Sequence, residues 1–154
     1  MRALYFLLLT LFLYSCADEV TFRENREIPS EGWSKNEPAV FEPVIKDNSK
    51  LYNTFVILRH DGRFQFNNLF LFIQITDPAG NHKTDTVECI LADQTGRWYG
   101  SGLGDILTMK MAYRQKVAFP DTGKYTFRIE QAMRVEPLEF IKDISFSIEQ
   151  IDPK

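Results

Sequence analysis

From residue 40 onward, apolar and polar positions alternate with a period of two. The clearest run is residues 107–119. There Leu107, Met109, Met111, Tyr113, Val117 and Phe119 interleave with Thr108, Lys110, Ala112, Arg114, Lys116 and Ala118, and only Gln115 breaks the apolar set. Successive side chains of a strand point to opposite faces, so this run predicts a strand with one buried and one wet face. Tyr125, Phe127 and Ile129 alternate with Thr126, Arg128 and Glu130 in the same way, after a turn at Pro120-Asp121-Thr122-Gly123. The two segments are therefore predicted to pair as an antiparallel hairpin. Further strands are predicted over 52–59, 64–66 with 69–76, 84–92 and 141–151. Leu69-Phe70-Leu71-Phe72-Ile73 is apolar in both phases, which predicts a central strand covered on each face.

Turn signals separate these runs at Asp61-Gly62, Asn67-Asn68, residues 77–81 and residues 93–104, and no amphipathic helical period intervenes. The pattern predicts an all-β fold: one β-sandwich of mostly antiparallel strands, jelly-roll or Ig-like, over residues 38–154. A barrel needs the same alternation, so the pattern alone leaves that closure open.

The first sixteen residues follow another rule. Residues 3–13 are apolar except for Thr10, behind a single charge at Arg2. About 20 apolar residues are needed to cross a bilayer, so this run predicts a secretory signal over residues 1–15. It ends at Leu13-Tyr14-Ser15-Cys16, which resembles a bacterial lipobox: Leu three residues before Cys and a small residue directly before it. Tyr14 departs from the residue type preferred at its position. Cys16 is accordingly the predicted lipidation site, anchoring the chain to membrane lipid. Residues 16–37 mix charges with Pro29, Ser30 and Gly32 without a period, and read as the lipidated Cys and a tether. Trp33 is expected to pin the start of the domain behind it.

Composition then narrows the function. The 154 residues include 13 Phe, enough apolar payload to require a packed core. The balance of 18 basic and 21 acidic residues gives −3. Removing residues 1–15 takes away Arg2 and no acid, so the mature chain stands at −4. Neutralising phosphates needs a basic excess, which excludes a nucleic-acid partner. With Cys16 lipidated, Cys89 has no intramolecular partner, and its phase with Val87 and Leu91 predicts a buried core thiol.

Catalytic signals are weak. His60 and His82 have no ligand at metal spacing and read as turn-flanking polar residues; no metal or cofactor is expected. Ser101 lies in Gly100-Ser101-Gly102-Leu103-Gly104, but a nucleophile elbow needs Gly two residues either side of the Ser, where Tyr99 and Leu103 stand. Asp77, Asp85, Glu88, Asp93 and Asp105 supply carboxylates, and a hydrolase would need two of them facing each other across a cleft. The candidate partner or ligand surface is Trp98, Tyr99 and Asp105 around the glycine-rich loop, with Arg59 and Arg134. That aromatic loop keeps a carbohydrate- or peptidoglycan-binding module as the alternative function.

An ordered set of segments carries a family resemblance. Leu58-Arg59-His60 is followed by Phe64-x-Phe66-Asn67-Asn68-Leu69 and Asp85-Thr86-x-Glu88-x-x-Leu91-Ala92-Asp93. Gly96-x-Trp98-x-Gly100-x-Gly102-x-Gly104-Asp105 comes next, then Phe119-Pro120-x-x-Gly123-x-Tyr125-x-Phe127 and Gln131-Ala132-Met133-Arg134. With Trp33 ahead of them, these resemble the gliding-motility lipoprotein GldH family from the lipobox almost to the last residue. The resemblance implies a non-enzymatic envelope lipoprotein of the gliding machinery, linked to type IX secretion. Its expected partners are other envelope proteins of those systems, docked while the lipid tethers the domain. Ala17, rather than Asp, follows Cys16, which favours the outer membrane. Only Cys16 is carried over as a functional residue.

Overall fold

The computed structural model describes residues 19–151; the signal segment and Cys16 lie outside them. Ten strands follow one another: β1 (Glu19–Glu27), β2 (Ala39–Phe41), β3 (Val44–Ile45), β4 (Leu51–Asp61), β5 (Asn68–Thr76), β6 (His82–Ile90), β7 (Ile106–Val117), β8 (Gly123–Lys124), β9 (Thr126–Gln131) and β10 (Ile141–Ile151). They form two four-stranded sheets, β1-β10-β4-β7 and β2-β9-β5-β6, with a small β3-β8 pair beside them. Every pairing is antiparallel. β1 pairs with β10, β2 with β9, β4 with β7 and β5 with β6, so the chain is a long folded ribbon wound into two layers. That nesting is the jelly-roll form of the predicted sandwich.

The nesting overturns the predicted hairpin. β7 pairs with β4, whereas β9 lies in the other sheet between β2 and β5. The turn at Pro120–Gly123 carries the chain across the sandwich: Gly123 (φ 130°) stands opposite Ile45, and the Tyr125 N–H donates to the Pro43 carbonyl at 2.9 Å. Alternation and turn chemistry look the same whether a strand returns to its own sheet or crosses to the facing one. The choice is made by where both apolar faces can be buried together.

Inward residues of both layers meet in an aromatic core. The Phe146 ring on β10 lies 4.4 Å from Phe127 on β9 and 5.8 Å from Phe41 on β2, centroid to centroid, and so joins the two sheets. Tyr52, Phe119 and Tyr125 continue the stack through edge contacts of 5.4 and 4.9 Å. Each large side chain fully withdrawn from water contributes about 1.5–3 kcal/mol. On β5 only one phase is covered. Leu69, Leu71 and Ile73 are fully buried, but Phe72 on the outer face is 40% exposed. The doubly apolar run therefore marks a strand inside its sheet whose outer face remains wet, contrary to the expected double cover.

The expected tether is largely structured. β1 occupies Glu19–Glu27, and Phe22, Glu24 and Arg26 stand opposite Ile148, Phe146 and Ile144 of β10, facing inward. Arg26 donates to the Val40 carbonyl at 3.1 Å and lies over the Phe41 ring, fastening the two sheets along this edge. Period-two reading missed the strand because its inward phase carries charge at the rim of the sandwich. Trp33 is fully buried, bridges to Leu138 and donates its indole N–H to the Glu37 carbonyl at 3.0 Å.

Strand direction fixes two ends. Glu19, Gln150, Tyr52 and Val117 stand in one row across the first sheet. This is the end at which β1 begins. The connections 28–38, 62–67, 91–105 and 132–140 gather at the far end.

Candidate functional site

At the far end the structure distributes the predicted surface residues. Trp98 and Tyr99 lie on the connection between β6 and β7, where Trp98 bridges to Ala92. The Trp98 ring is half-buried and packs on the His60 ring at 4.6 Å, so one face is already taken by the core. Tyr99 is 55% exposed, and Leu103 beyond it is 94% exposed. Asp105 is exposed, and its carbonyl accepts the Gly62 N–H at 2.7 Å. Arg59 lies on the outer face of β4 and pairs with Asp143 at 2.9 Å; Arg134 is exposed on the β9–β10 connection. These residues share an end of the molecule, and Trp98 and Tyr99 stand outside the clefts lined by Phe64, Val135 and Phe140 and by Val87, Cys89 and Met109.

The glycine-rich segment there is explained by close approach. A Cβ on Gly102 would sit 1.8 Å from the Ile106 carbonyl oxygen, and one on Gly100 would sit 2.9 Å from that of Thr108. Ser101 is bridged to Thr108 by paired backbone hydrogen bonds of 3.1 and 2.9 Å. The loop folds back on the start of β7.

A second arrangement, absent from the sequence reading, lies between β6 and β7, which edge different sheets. The register of β7 against β4 shifts between Tyr52 and Thr54 and again between Thr54 and Phe55. These bulges set Arg114 directly opposite the inward-facing Thr54, so its guanidinium turns into the gap between the sheets. It donates to Asp85 of β6, and the Tyr113 hydroxyl donates to the same carboxylate at 2.6 Å. Lys83 adds an ion pair at 3.5 Å. Burial pushes the Asp85 carboxyl up, but the hydrogen bonds from Tyr113 and Arg114 outweigh it and leave the group below the usual range. Burial first and the Asp85 hydrogen bond second push the Tyr113 hydroxyl up. The break at Gln115 was the trace of these bulges in the sequence.

This clasp separates two clefts. Toward the far end, Val87, Cys89, Met109 and Met111 line one of about 290 Å³. Toward the end at which β1 begins, Ile75, Val117, Ala118, Phe119, Pro120 and Phe127 form the apolar wall of one of about 230 Å³. Cys89 is buried, and burial pushes its thiol up to about 12, which leaves it an inert core residue at neutral pH.

The remaining carboxylates serve local geometry. Asp77 accepts from the Asn81 backbone and side chain, and Asp93 accepts from Thr95 and Arg97; these hydrogen bonds hold both groups below the usual range. Glu88 accepts from Asn68 at 2.6 Å. A general acid needs a shift opposite to that of Asp77 and Asp93. Asp61 receives a two-pronged hydrogen bond from Arg63, at 2.9 and 2.8 Å, which holds its carboxyl well down. His60, read as turn-flanking, is instead the penultimate residue of β4, fully buried, with Nδ1 3.0 Å from the Asp61 carbonyl and Nε2 without a partner. No group of three or more His, Cys, Asp or Glu among the described residues is placed to hold a metal ion.

Comparison with known proteins covers nearly the whole chain. The family model described as GldH lipoprotein matches residues 20–148. The chain is similar to the gliding motility lipoprotein GldH of Flavobacterium johnsoniae, with 39% identity over 153 residues, covering 95% of this chain and 94% of that protein. It is also similar to the gliding motility lipoprotein GldH homolog of Christiangramia forsetii, with 32% identity over 157 residues, covering 97% and 96% of the two chains.

Proposed function

The chain belongs to the GldH lipoprotein family, and on that premise we propose that it is a non-enzymatic, lipid-anchored component of the gliding-motility machinery in the cell envelope. The observation that carries this reading is identity of 39% over 95% of the chain with a gliding-motility lipoprotein. The carboxylates support the non-enzymatic part: Asp77, Asp85 and Asp93 are each tied into a turn or a clasp and held in the ionised form.

In this reading Cys16 carries the lipid, the outer membrane is the host, and the machinery served is the one coupled to type IX secretion. The mechanism is confinement: a lipid anchor holds the domain in two dimensions and raises its effective concentration at its partners. Only Ala17 and Asp18 separate Cys16 from β1, a reach of about 10 Å over three Cα–Cα steps, so the end where β1 begins is held close to the bilayer. β10 runs from one end to the other in 11 residues, about 36 Å, and carries the loops bearing Tyr99, Leu103 and Arg134 that far outward for docking.

The deciding experiment is genetic. Deleting the coding region should abolish colony spreading and surface adhesin display, and a Cys16→Ser allele should reproduce the loss while releasing the protein from membranes. Normal spreading in the deletion strain would overturn the motility assignment; membrane retention of the Cys16→Ser protein would overturn the anchor.

A further inference from the structure

The cleft beside the clasp opens at the end from which the chain leaves toward Cys16. Val117 on its wall belongs to the row Glu19, Gln150, Tyr52 and Val117. Neighbouring strands are about 4.8 Å apart, so the wall lies about 14 Å across the sheet from the first residue of β1. Three further residues reach Cys16 within about 10 Å. A lipid on Cys16 would hold this mouth against the bilayer surface.

The chemistry of the wall selects the occupant. Ile75, Val117, Ala118, Phe119, Pro120 and Phe127 present apolar surface. The rest of the lining is polar, and most of it has a partner within the protein. The Thr54 hydroxyl accepts from the Arg114 N–H at 3.0 Å, the Tyr125 hydroxyl donates to the Asp121 carbonyl at 3.0 Å, Asn81 donates to the Asp77 carboxylate at 2.8 Å, Arg114 and Lys83 share the Asp85 carboxylate, and His82 stands exposed at the rim. The apolar wall itself asks for no hydrogen bond and no charge from its ligand, and the charged groups stand along the β6 side of the mouth. Its volume of about 230 Å³ exceeds that of an apolar cavity able to take benzene, about 150 Å³, and falls short of drug-sized pockets, which start at about 300 Å³. A narrow apolar chain satisfies both bounds.

We propose that this cleft is a binding site for one acyl chain of a bilayer phospholipid, which holds the domain with the end at which β1 begins toward the bilayer. The inference rests on the reading of Cys16 as the lipid anchor, and the test separates the two.

The mature lipidated chain is reconstituted into phosphatidylcholine vesicles carrying a phosphatidylcholine with a diazirine at the end of one acyl chain. The vesicles are floated, irradiated and digested for mass spectrometry. Cross-links are expected within residues 117–127. Lys50, Lys116 and Lys124 should be shielded from a water-soluble acetylating reagent relative to Lys35 and Lys142 at the far end. Ala118→Trp, at an exposed position on the wall, should lower the cross-link at least tenfold without changing flotation. A chain that floats but is labelled only within residues 17–22 overturns the proposal and leaves the anchor intact. A chain that does not float overturns the anchor. The same diazirine offered as a free fatty acid then decides the cleft: labelling of 117–127 upholds an acyl site, and its absence overturns it.

Discussion

Arg114 of β7 donates to the Asp85 carboxylate of β6, joining two strands that edge opposite sheets. Along the other side, Arg26 performs the matching task by binding the Val40 carbonyl. The sandwich is thus closed at both open sides by an arginine reaching across the layers. Charges turned inward at a sheet edge also discourage pairing with a second chain.

Asp85→Ala is expected to leave Arg114 and Tyr113 facing each other in the gap without an acceptor. Charge-assisted hydrogen bonds contribute about 1.5–3 kcal/mol, and partial exposure of the pair, 34% for Arg114 and 24% for Asp85, brings the expected loss to about 1–2 kcal/mol. Replacing both Asp85 and Arg114 by Leu should recover most of it, because an apolar pair demands no acceptor. Urea melts of the wild type, Asp85→Leu, Arg114→Leu and the double Leu chain form a double-mutant cycle, and a coupling energy near zero would show that the clasp contributes nothing.

His60 supplies a pH response. Burial pushes its imidazole below the ordinary value of 6.5, against the smaller upward pull of the Asp61 carbonyl. The native state therefore holds the neutral ring while the unfolded chain takes a proton below about pH 6.5. The contribution is fully present above that pH and is lost as pH falls toward the depressed native value, by at most about 1.4 kcal/mol per pH unit. His60→Phe, which keeps a ring against Trp98 and Phe64, should flatten the urea midpoint between about pH 7 and pH 5. A wild-type midpoint already flat there would refute the assignment.

Substitutions in β5 and β10 should separate the covered and wet faces. Phe146→Ala removes the ring that touches Phe41 and Phe127 and is expected to cost about 3–5 kcal/mol, a large part of a total of about 5–15. Phe72→Ala, on the outer face, should cost less than about 1 kcal/mol. Equal losses in thermal melts would mean that β5 is covered on both faces after all.

Some of this architecture was legible and some was not, for reasons visible in single strands. Residues 141–151 were predicted as a strand and form β10, because that strand lies inside its sheet and its inward phase, Ile144, Phe146 and Ile148, is purely apolar. The sandwich class followed from such runs. Sheet assignment did not, since β7 and β9 carry the same pattern and only the nested pairing places them in different layers. The clasp joins residues 28 and 29 positions apart and depends on bulges that a period-two reading records only as a lapse at Gln115. Trp98 and Tyr99 were seen as neighbours, but the strand end that gives one of them to His60 and the other to solvent has no local signature.

β1 offers the sharpest separation between strand and linker. Its inward phase runs Phe22, Glu24, Arg26, and only Phe22 among them carries the apolar contact with the core. Phe22→Asp places a charge against that apolar surface and should free β1 from β10 along its first half. Amide exchange at residues 20–24 is then expected to rise by at least tenfold. β4 should keep its protection, because it pairs with β7 on its other side and with the far length of β10. A flexible tether would exchange fast in both proteins. An unchanged profile in the variant, with fast exchange already present in the wild type, would return residues 19–27 to the status of a linker and lengthen the reach of the anchor accordingly.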